Sequence, residues 1–491
     1  APRRRRLAPG EEGAGAVDLA PFHAYQRAIR QGVEQGVLPG YCSLVLWRGR
    51  ALHVDAHGFA DLEERRPLRT NSIMRLYCMG KSLVAAALML LVERGRCALE
   101  DDVAKYIPAF GRARVAASLD SVGPSPEDRP VRAGLTLRRL LTHCSGLGYG
   151  KEFNLPPEGA AEESYAPIVS AVDSGEIRSL DAFCQALATR APLRCDPGTR
   201  FDYSYGLDVL GRVVEVVSGR ALDAFMREEL FAPLGMVDTG FSVRREALPR
   251  LATLYGSRDT AVALGALSPN APAAEPPWRL YALDGRRPEE SAWAEGRSCP
   301  VLSGGGLVGH NWGGLVSSLN DVARFCLMLA SGGVCPDGRR LFREATVEEM
   351  TGHDWLRLPA CLGVPQDSTR GATGVTAKGP FGWNAMGELG VVEGAPLDGD
   401  AFELGEYGYG GIAETFWSVN PRRDLVVIWM TQQVDNHSWS SPKANLWAAA
   451  RQAVAAVPAP RPSQPRCLWS AGAAAGKRRR LTRKSAVLVA G

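Results

Sequence analysis

A thiol at Cys78 and an amine at Lys81 lie three residues apart within residues 75–90, RLYCMGKSLVAAALML. On a helix, side chains at i and i+3 share a face, so the sulfur and the amine would sit side by side. The N-terminus of that helix favours negative charge. An amine close enough to accept a proton, and a dipole that stabilises the anion left behind, are what an activated nucleophile needs. C-x-x-K alone is a weak pattern that chance produces often. The surrounding text carries the weight.

The element that must position this pair is the ten-residue apolar run at 83–92, just after Lys81, which reads as a buried helix. Upstream, residues 19–35 read as an opening amphipathic helix. Residues 41–47 and 51–57 are β-rich and joined by Arg48-Gly49-Arg50, a hairpin signal. A largely helical middle with Pro/Gly-rich loops follows. Near the other end, 415–419 and 425–430 read as strands joined by the turn 420–424, and 443–456 as a closing helix. Strands at both chain ends with helices between predict an α/β (α+β) fold. In it, an antiparallel sheet flanked by helices carries an inserted, mostly helical subdomain, with the site in the groove between them.

Composition fits one large domain rather than several. The chain has 491 residues with 45% hydrophobic content, and no repeat or composition break divides its centre. The longest apolar run is about half of what a bilayer span needs, so no membrane span is expected. No signal peptide is visible, yet the chain starts at Ala1 and a lost targeting segment stays open. The eleven cysteines show neither CxxC pairing nor zinc-type spacing, which favours a reducing compartment, cytoplasmic or other. Net charge is +4, but the arginines at 3–6 supply four positive charges and the acid-free segment from 458 onward supplies eight. The remainder therefore carries −8. We divide the chain into a basic N-terminal tail at 1–18, a catalytic-type domain at 19–457 and a basic tail at 458–491. The run KRRRLTRK in that tail reads as a solvated tail before it reads as a nuclear address or a nucleic-acid or lipid-surface patch.

The chain resembles the serine β-lactamase and penicillin-binding-protein superfamily, on the branch of class C-like β-lactamases, family VIII esterases and related acyltransferases. Residues 75–95 follow that family's S-x-x-K segment, with Cys78 in place of the nucleophile serine. TLRRLLTHCSGL at 136–147, PGTRFDYSYGLDVLG at 197–211, LFAPLGMVDTGF at 230–241, GGLVSSLNDVARFCLML at 313–329 and YGYGGIAETFWSVNPRRDLVVIWMTQ at 407–432 match further segments in order and spacing.

From the resemblance, Cys78 is the nucleophile and Lys81 its proton partner. Tyr203 takes the part of the tyrosine base of a Y-x-N motif whose asparagine is replaced by Tyr205, at a position that helps orient substrate. A free phenol titrates near pH 10, and a neighbouring Lys81 ammonium is expected to lower that value. Tyr409-Gly410-Gly411 matches a W-G-G-like third motif with Tyr for Trp. The resemblance implies that the backbone N–H groups of Cys78 and Ile412 form the oxyanion hole.

His143 invites a Cys–His pairing with Cys78, but its place in the family signature favours a structural role. His53 and His57 lie on a strand at a spacing that does not converge on a metal. The glycines at 304–306 read as a loop, or as an insertion beside the site, with no helix behind them to hold phosphate. The expected function is a β-lactamase-related hydrolase (esterase-like) or acyltransferase that acts on a small ester or amide through a covalent acyl-enzyme. No cofactor, metal or nucleic acid is implied, and the oligomeric state is left open. The alternative is an inactive binding or scaffold protein, since three motif positions, Cys78, Tyr205 and Tyr409, depart from the family pattern.

Overall fold

The computed structural model describes residues 17–118, 122–149, 160–263, 266–271, 276, 278–284, 287–297, 299, 301–305, 314–352, 355, 381–390, 402–434 and 442–457. The basic runs at 3–6 and 477–484 lie outside them, as do Gly306 and Gly313.

Alternation of apolar side chains builds the sheet. In the strand Leu425–Met430, Leu425, Val427 and Trp429 face one hydrophobic cluster, whereas Val426, Ile428 and Met430 face another. Successive strand residues point to opposite faces, so a continuous apolar run means a strand covered on both sides. Gly40–Trp47 repeats the pattern, with Tyr41 and Val45 on one face and Cys42, Leu44 and Leu46 on the other.

These strands form an eight-stranded sheet in the order Phe381–Asn384, Gly387–Gly390, Tyr407–Gly411, Thr415–Asn420, Leu425–Met430, Gly40–Trp47, Arg50–Asp61, Arg66–Pro67. Neighbouring strands pair antiparallel. The two ends of the chain meet at its centre, where Cys42 stands opposite Met430 and Trp47 opposite Leu425. The expected sheet from both chain ends is therefore present. The hairpin at Arg48 and Gly49 has φ of 50° and 71°. Positive values at both central residues belong to the turn whose twist matches a β-hairpin.

The terminal helices Ala20–Glu34 and Pro442–Ala453 cover one face, burying Phe22, Tyr25, Ile29, Leu446 and Trp447 against Tyr41 and Trp429. The spacing of Phe22, Tyr25 and Ile29 is that of one helical face. The helix Leu319–Ala330 covers the other face, and in the same apolar cluster lies the helix Lys81–Glu93, in which every residue from Lys81 to Leu91 is buried. A helix that is apolar all round belongs inside, as the run at 83–92 indicates. Against it packs the helix Gly206–Ser218 of the inserted helical portion, on which Leu180–Arg190 packs in turn. No described helix is long and apolar enough to cross a membrane.

Candidate active site

Cys78 is delivered to the sheet by a chain segment anchored on both sides. Ile73–Arg75 pairs with Val316–Ser318, and Leu76 N–H donates to Leu315 O at 2.8 Å. Gln432 grips the backbone of Arg75, accepting from its N–H at 2.9 Å and donating to its carbonyl at 3.1 Å. The chain then turns through Tyr77 at φ 47°, a left-handed conformation that costs a non-glycine residue on the order of 1–3 kcal/mol. A 3-10 turn, Tyr77–Gly80, runs directly into the helix Lys81–Glu93. Cys78 thus sits in the turn that feeds the helix N-terminus, where the dipole favours an anion.

Arg75 stabilises that entry from below. Its guanidinium is buried, pairs with Asp284, donates to Ala252 O at 2.6 Å and to Ser291 Oγ at 3.1 Å, and lies 4.9 Å from the Trp293 ring centroid. Tyr77 meets the same indole edge-on at 5.8 Å. Burial alone would raise the Asp284 carboxyl, but Arg75 and Ser291 hold it below its usual range. Asp284 lies in a Pro-containing stretch to which the sequence analysis assigns no role.

Around the sulfur the structure gathers Lys81, Tyr203, Tyr409 and Gly411. Cys78 is within hydrogen-bond reach of both Lys81 and Tyr203. Lys81 Nζ donates to Gly305 O at 2.6 Å and lies 4.6 Å and 5.1 Å from the ring centroids of Tyr203 and Tyr149. Tyr409 donates to Tyr203 at 3.1 Å. Gly411 lies where the strand Tyr407–Gly411 is pressed on the incoming chain: a Cβ there would be 2.3 Å from Leu76 O and 2.4 Å from Thr415 Oγ1. Gly410 precedes it in the strand, and Ile412 opens the turn that follows.

Burial sets the protonation of this cluster. It pulls the Lys81 amine below its ordinary value, with Cys78 and Asp208 opposing. It pushes the phenol of Tyr203 well above its ordinary value, and the neighbouring Cys78 and Tyr409 add to that. The expectation that Lys81 would make Tyr203 a readier phenolate is thus reversed. Removal from water penalises whichever form carries charge, so the buried amine is left neutral more easily and the buried phenol keeps its proton.

Tyr205 packs within an aromatic cluster. Its ring stacks on Tyr149 at 4.4 Å and 18°, meets Phe183 edge-on at 5.3 Å and lies 5.8 Å from Tyr165. These contacts lie in the helical half. It braces Tyr149, which in turn flanks Lys81.

His143 takes the structural part. Ser204 N–H donates to its Nδ1 at 3.1 Å, so that nitrogen is unprotonated. The ring lies 4.4 Å from that of Tyr203, with Trp383 and Phe201 edge-on to it. Burial first, and Lys81 second, hold this imidazole well below its usual value. A neutral ring packed on Tyr203 orients the phenol. Sequence reasoning placed Gly305 in a loop or insertion beside the site but missed Tyr149, Asp208 and Asp284 as parts of this neighbourhood. A lone Asp in the otherwise apolar helix segment GLDVLG was the one legible signal. Among the described residues, no group of three or more His, Cys, Asp or Glu side chains is arranged to hold a metal ion.

Comparison with known proteins bears on this arrangement. A family model described as Beta-lactamase matches residues 25–451. Protein Rv1367c of Mycobacterium tuberculosis is 29% identical over 415 residues, covering 83% of this chain and 89% of that protein. Esterase EstB of Burkholderia gladioli is 35% identical over 229 residues, covering 46% of this chain and 54% of the esterase. The match to EstB thus spans about half of each. Among solved structures, EstCE1, described as a hydrolase with promiscuous acyltransferase activity, has TM-score 0.63 and 23% identity, covering 88% of this chain and 98% of its own. At that identity the resemblance is one of fold.

Proposed function

The chain belongs to the beta-lactamase family, and from that premise we propose that it is an esterase-like hydrolase or acyltransferase working through a covalent thioester on Cys78. The observation that carries this reading is one thiol within hydrogen-bond reach of both a buried amine and a buried phenol, at a helix N-terminus. A relative named as an esterase supports it.

In this reading Lys81 takes the Cys78 proton, and the sulfur attacks the carbonyl carbon of a small ester or amide. The carbonyl π-electrons move to oxygen, and the oxyanion is received by the backbone N–H groups of Cys78 and Ile412. Two such donors are together worth several kcal/mol. Collapse of this intermediate breaks the bond to the leaving group, which receives its proton from the Lys81–Tyr203 pair. The phenol of Tyr203, kept protonated by burial, serves as donor and relay. Water then attacks the thioester with Lys81 as base, releasing the acid and restoring the thiol. An alcohol or amine in place of water completes acyl transfer. Tyr409 and the glycines 410 and 411 form the floor across which the acyl group lies. Tyr205 contributes through Tyr149.

The test is ester hydrolysis by wild type, Cys78→Ser and Cys78→Ala, using short-chain p-nitrophenyl esters with nitrocefin alongside. Wild type should turn over the esters and handle the β-lactam poorly, while Cys78→Ala should be inactive. Background rates in all three folded proteins would exclude catalysis at this site and leave a binding or scaffold role.

A further inference from the structure

Asp208 lies on the helix Gly206–Ser218, five residues beyond Tyr203, and is completely buried. Its Oδ1 accepts from Ser303 Oγ at 2.7 Å and from Gly305 N–H at 3.0 Å. Its Oδ2 accepts no hydrogen bond among the described residues. The carbonyl of the same Gly305 receives Lys81 Nζ at 2.6 Å and the Tyr149 hydroxyl at 3.3 Å. Glycine is required there, because a Cβ on residue 305 would stand 2.3 Å from Asp208 Oδ2. One residue therefore links the carboxylate, through its N–H, to the amine, through its carbonyl.

We propose that Asp208 is a positioning residue for the Lys81 amine: it clamps residues 303–305 so that Gly305 O receives Nζ, and it is the counter-charge for the ammonium formed when Cys78 gives up its proton. This rests on the reading of Lys81 as the proton acceptor.

A buried carboxylate with one oxygen unsatisfied is expensive unless a charge nearby compensates it. The charge available is Lys81: burial leaves the Asp208 carboxyl above its ordinary value and the Lys81 amine below its own, and each of the two opposes that push on the other. Among the described residues, the other groups in this field are these. Cys184 on the helix Leu180–Arg190 and the Tyr149 phenol face Asp208. Cys78, His143 and the rings of Tyr149 and Tyr203 surround Lys81. The neutral His143 supplies no counter-ion. Opposite charges in a low-dielectric interior interact far more strongly than in water, so proton transfer from sulfur to nitrogen is favoured by a carboxylate one residue away.

The experiment reads the Lys81 amine directly. The chain contains only seven lysines, so protein labelled with 13C at lysine Cε has few signals, and the one missing from Lys81→Arg is assigned. Its titration is followed in wild type and in Asp208→Asn, which keeps an oxygen to accept from Ser303 and Gly305 but removes the charge. The Lys81 midpoint should fall by about one pH unit or more in Asp208→Asn, and the acid limb of ester hydrolysis should move with it. An unchanged or raised midpoint overturns the proposal, as does a Lys81 signal that fails to titrate in either protein. If Asp208→Asn does not fold, Ser303→Ala decides. It removes one donor from the carboxylate, and the midpoint should move in the same direction by less; no movement overturns the proposal. A shifted midpoint in a protein with no ester turnover leaves the pairing standing and sinks the catalytic reading instead. Turnover with no shift does the reverse.

Discussion

Tyr409 donates its hydroxyl hydrogen to the oxygen of Tyr203 at 3.1 Å, joining a strand of the sheet to the segment that opens the helical half. With that lone pair occupied, the proton of Tyr203 is directed away from Tyr409, and Cys78 lies within its reach. With the packing of Trp383 on His143 and Tyr203, this contact registers the groove's two walls against each other at the point where chemistry is proposed.

Tyr409→Phe should therefore fold normally and lose ester hydrolysis about five- to tenfold, the equivalent of about 1 kcal/mol for one neutral hydrogen bond. Paired thermal melts and kcat/KM measurements check it. Wild-type kinetics in the variant would show that Tyr203 needs no such registration.

Gly411→Ala places a methyl against Leu76 O and Thr415 Oγ1. Overpacking of this kind costs about 1–3 kcal/mol, and relief requires the strand and the Cys78 turn to separate. The expected outcome is a lowered melting temperature together with an activity loss well beyond tenfold. An alanine variant as active as wild type would mean that the strand need not approach so closely.

The lowered Lys81 value gives a signed pH dependence. A depressed amine pKa means that the neutral base appears at lower pH than for a free lysine, which titrates near about 10.4. Ester hydrolysis should rise with pH along a limb lying below that value. Lys81→Arg, whose guanidinium stays charged, should abolish activity at every pH. A limb at the ordinary lysine value would contradict a buried base.

Asp284→Ala removes the partner of a guanidinium that is almost wholly buried. Breaking a buried ion pair from one side costs about 3–5 kcal/mol, so chemical denaturation should show a loss of that order. Activity should fall too, because Arg75 immediately precedes the turn that carries Cys78. A loss under about 1 kcal/mol would mean that Ala252 O and Ser291 satisfy Arg75 by themselves.

His53 offers a stability test far from the site. Burial pushes its imidazole down to about 4, and Ser43 Oγ lies 2.9 Å from its Nε2. The folded value lies below the unfolded value of about 6.5. Its contribution is thus fully present above that pH and is lost progressively as pH falls toward about 4, up to on the order of 3 kcal/mol. His53→Gln should show a shallower fall in melting temperature across this window than wild type. Parallel curves would assign the acid sensitivity elsewhere, His143 being the nearest equivalent.

Much of the framework was legible because it repeats local rules. The apolar run behind Lys81 marks a central helix, and the residues at 415–420 and 425–430 alternate between two covered faces. Arg48-Gly49 marks a hairpin through its backbone preference. Cys78 and Lys81 are neighbours by helical spacing, which any helix starting there would produce.

What the sequence by itself determined, then, was the family, the sheet built from two chain ends, and the side chains that face one another at short spacing. Only the tertiary structure decided how those side chains ionise and which partners reach them. Tyr203 keeps its proton and Lys81 is held low because both are desolvated, and desolvation belongs to the whole packed fold rather than to any segment. Tyr205 turns toward Tyr149, Asp208 reaches Lys81 through Gly305, and Arg75 finds Asp284 across more than two hundred residues of chain. These contacts are long-range, and a buried charge or phenol takes whatever partner the packing brings, so no local pattern could announce them.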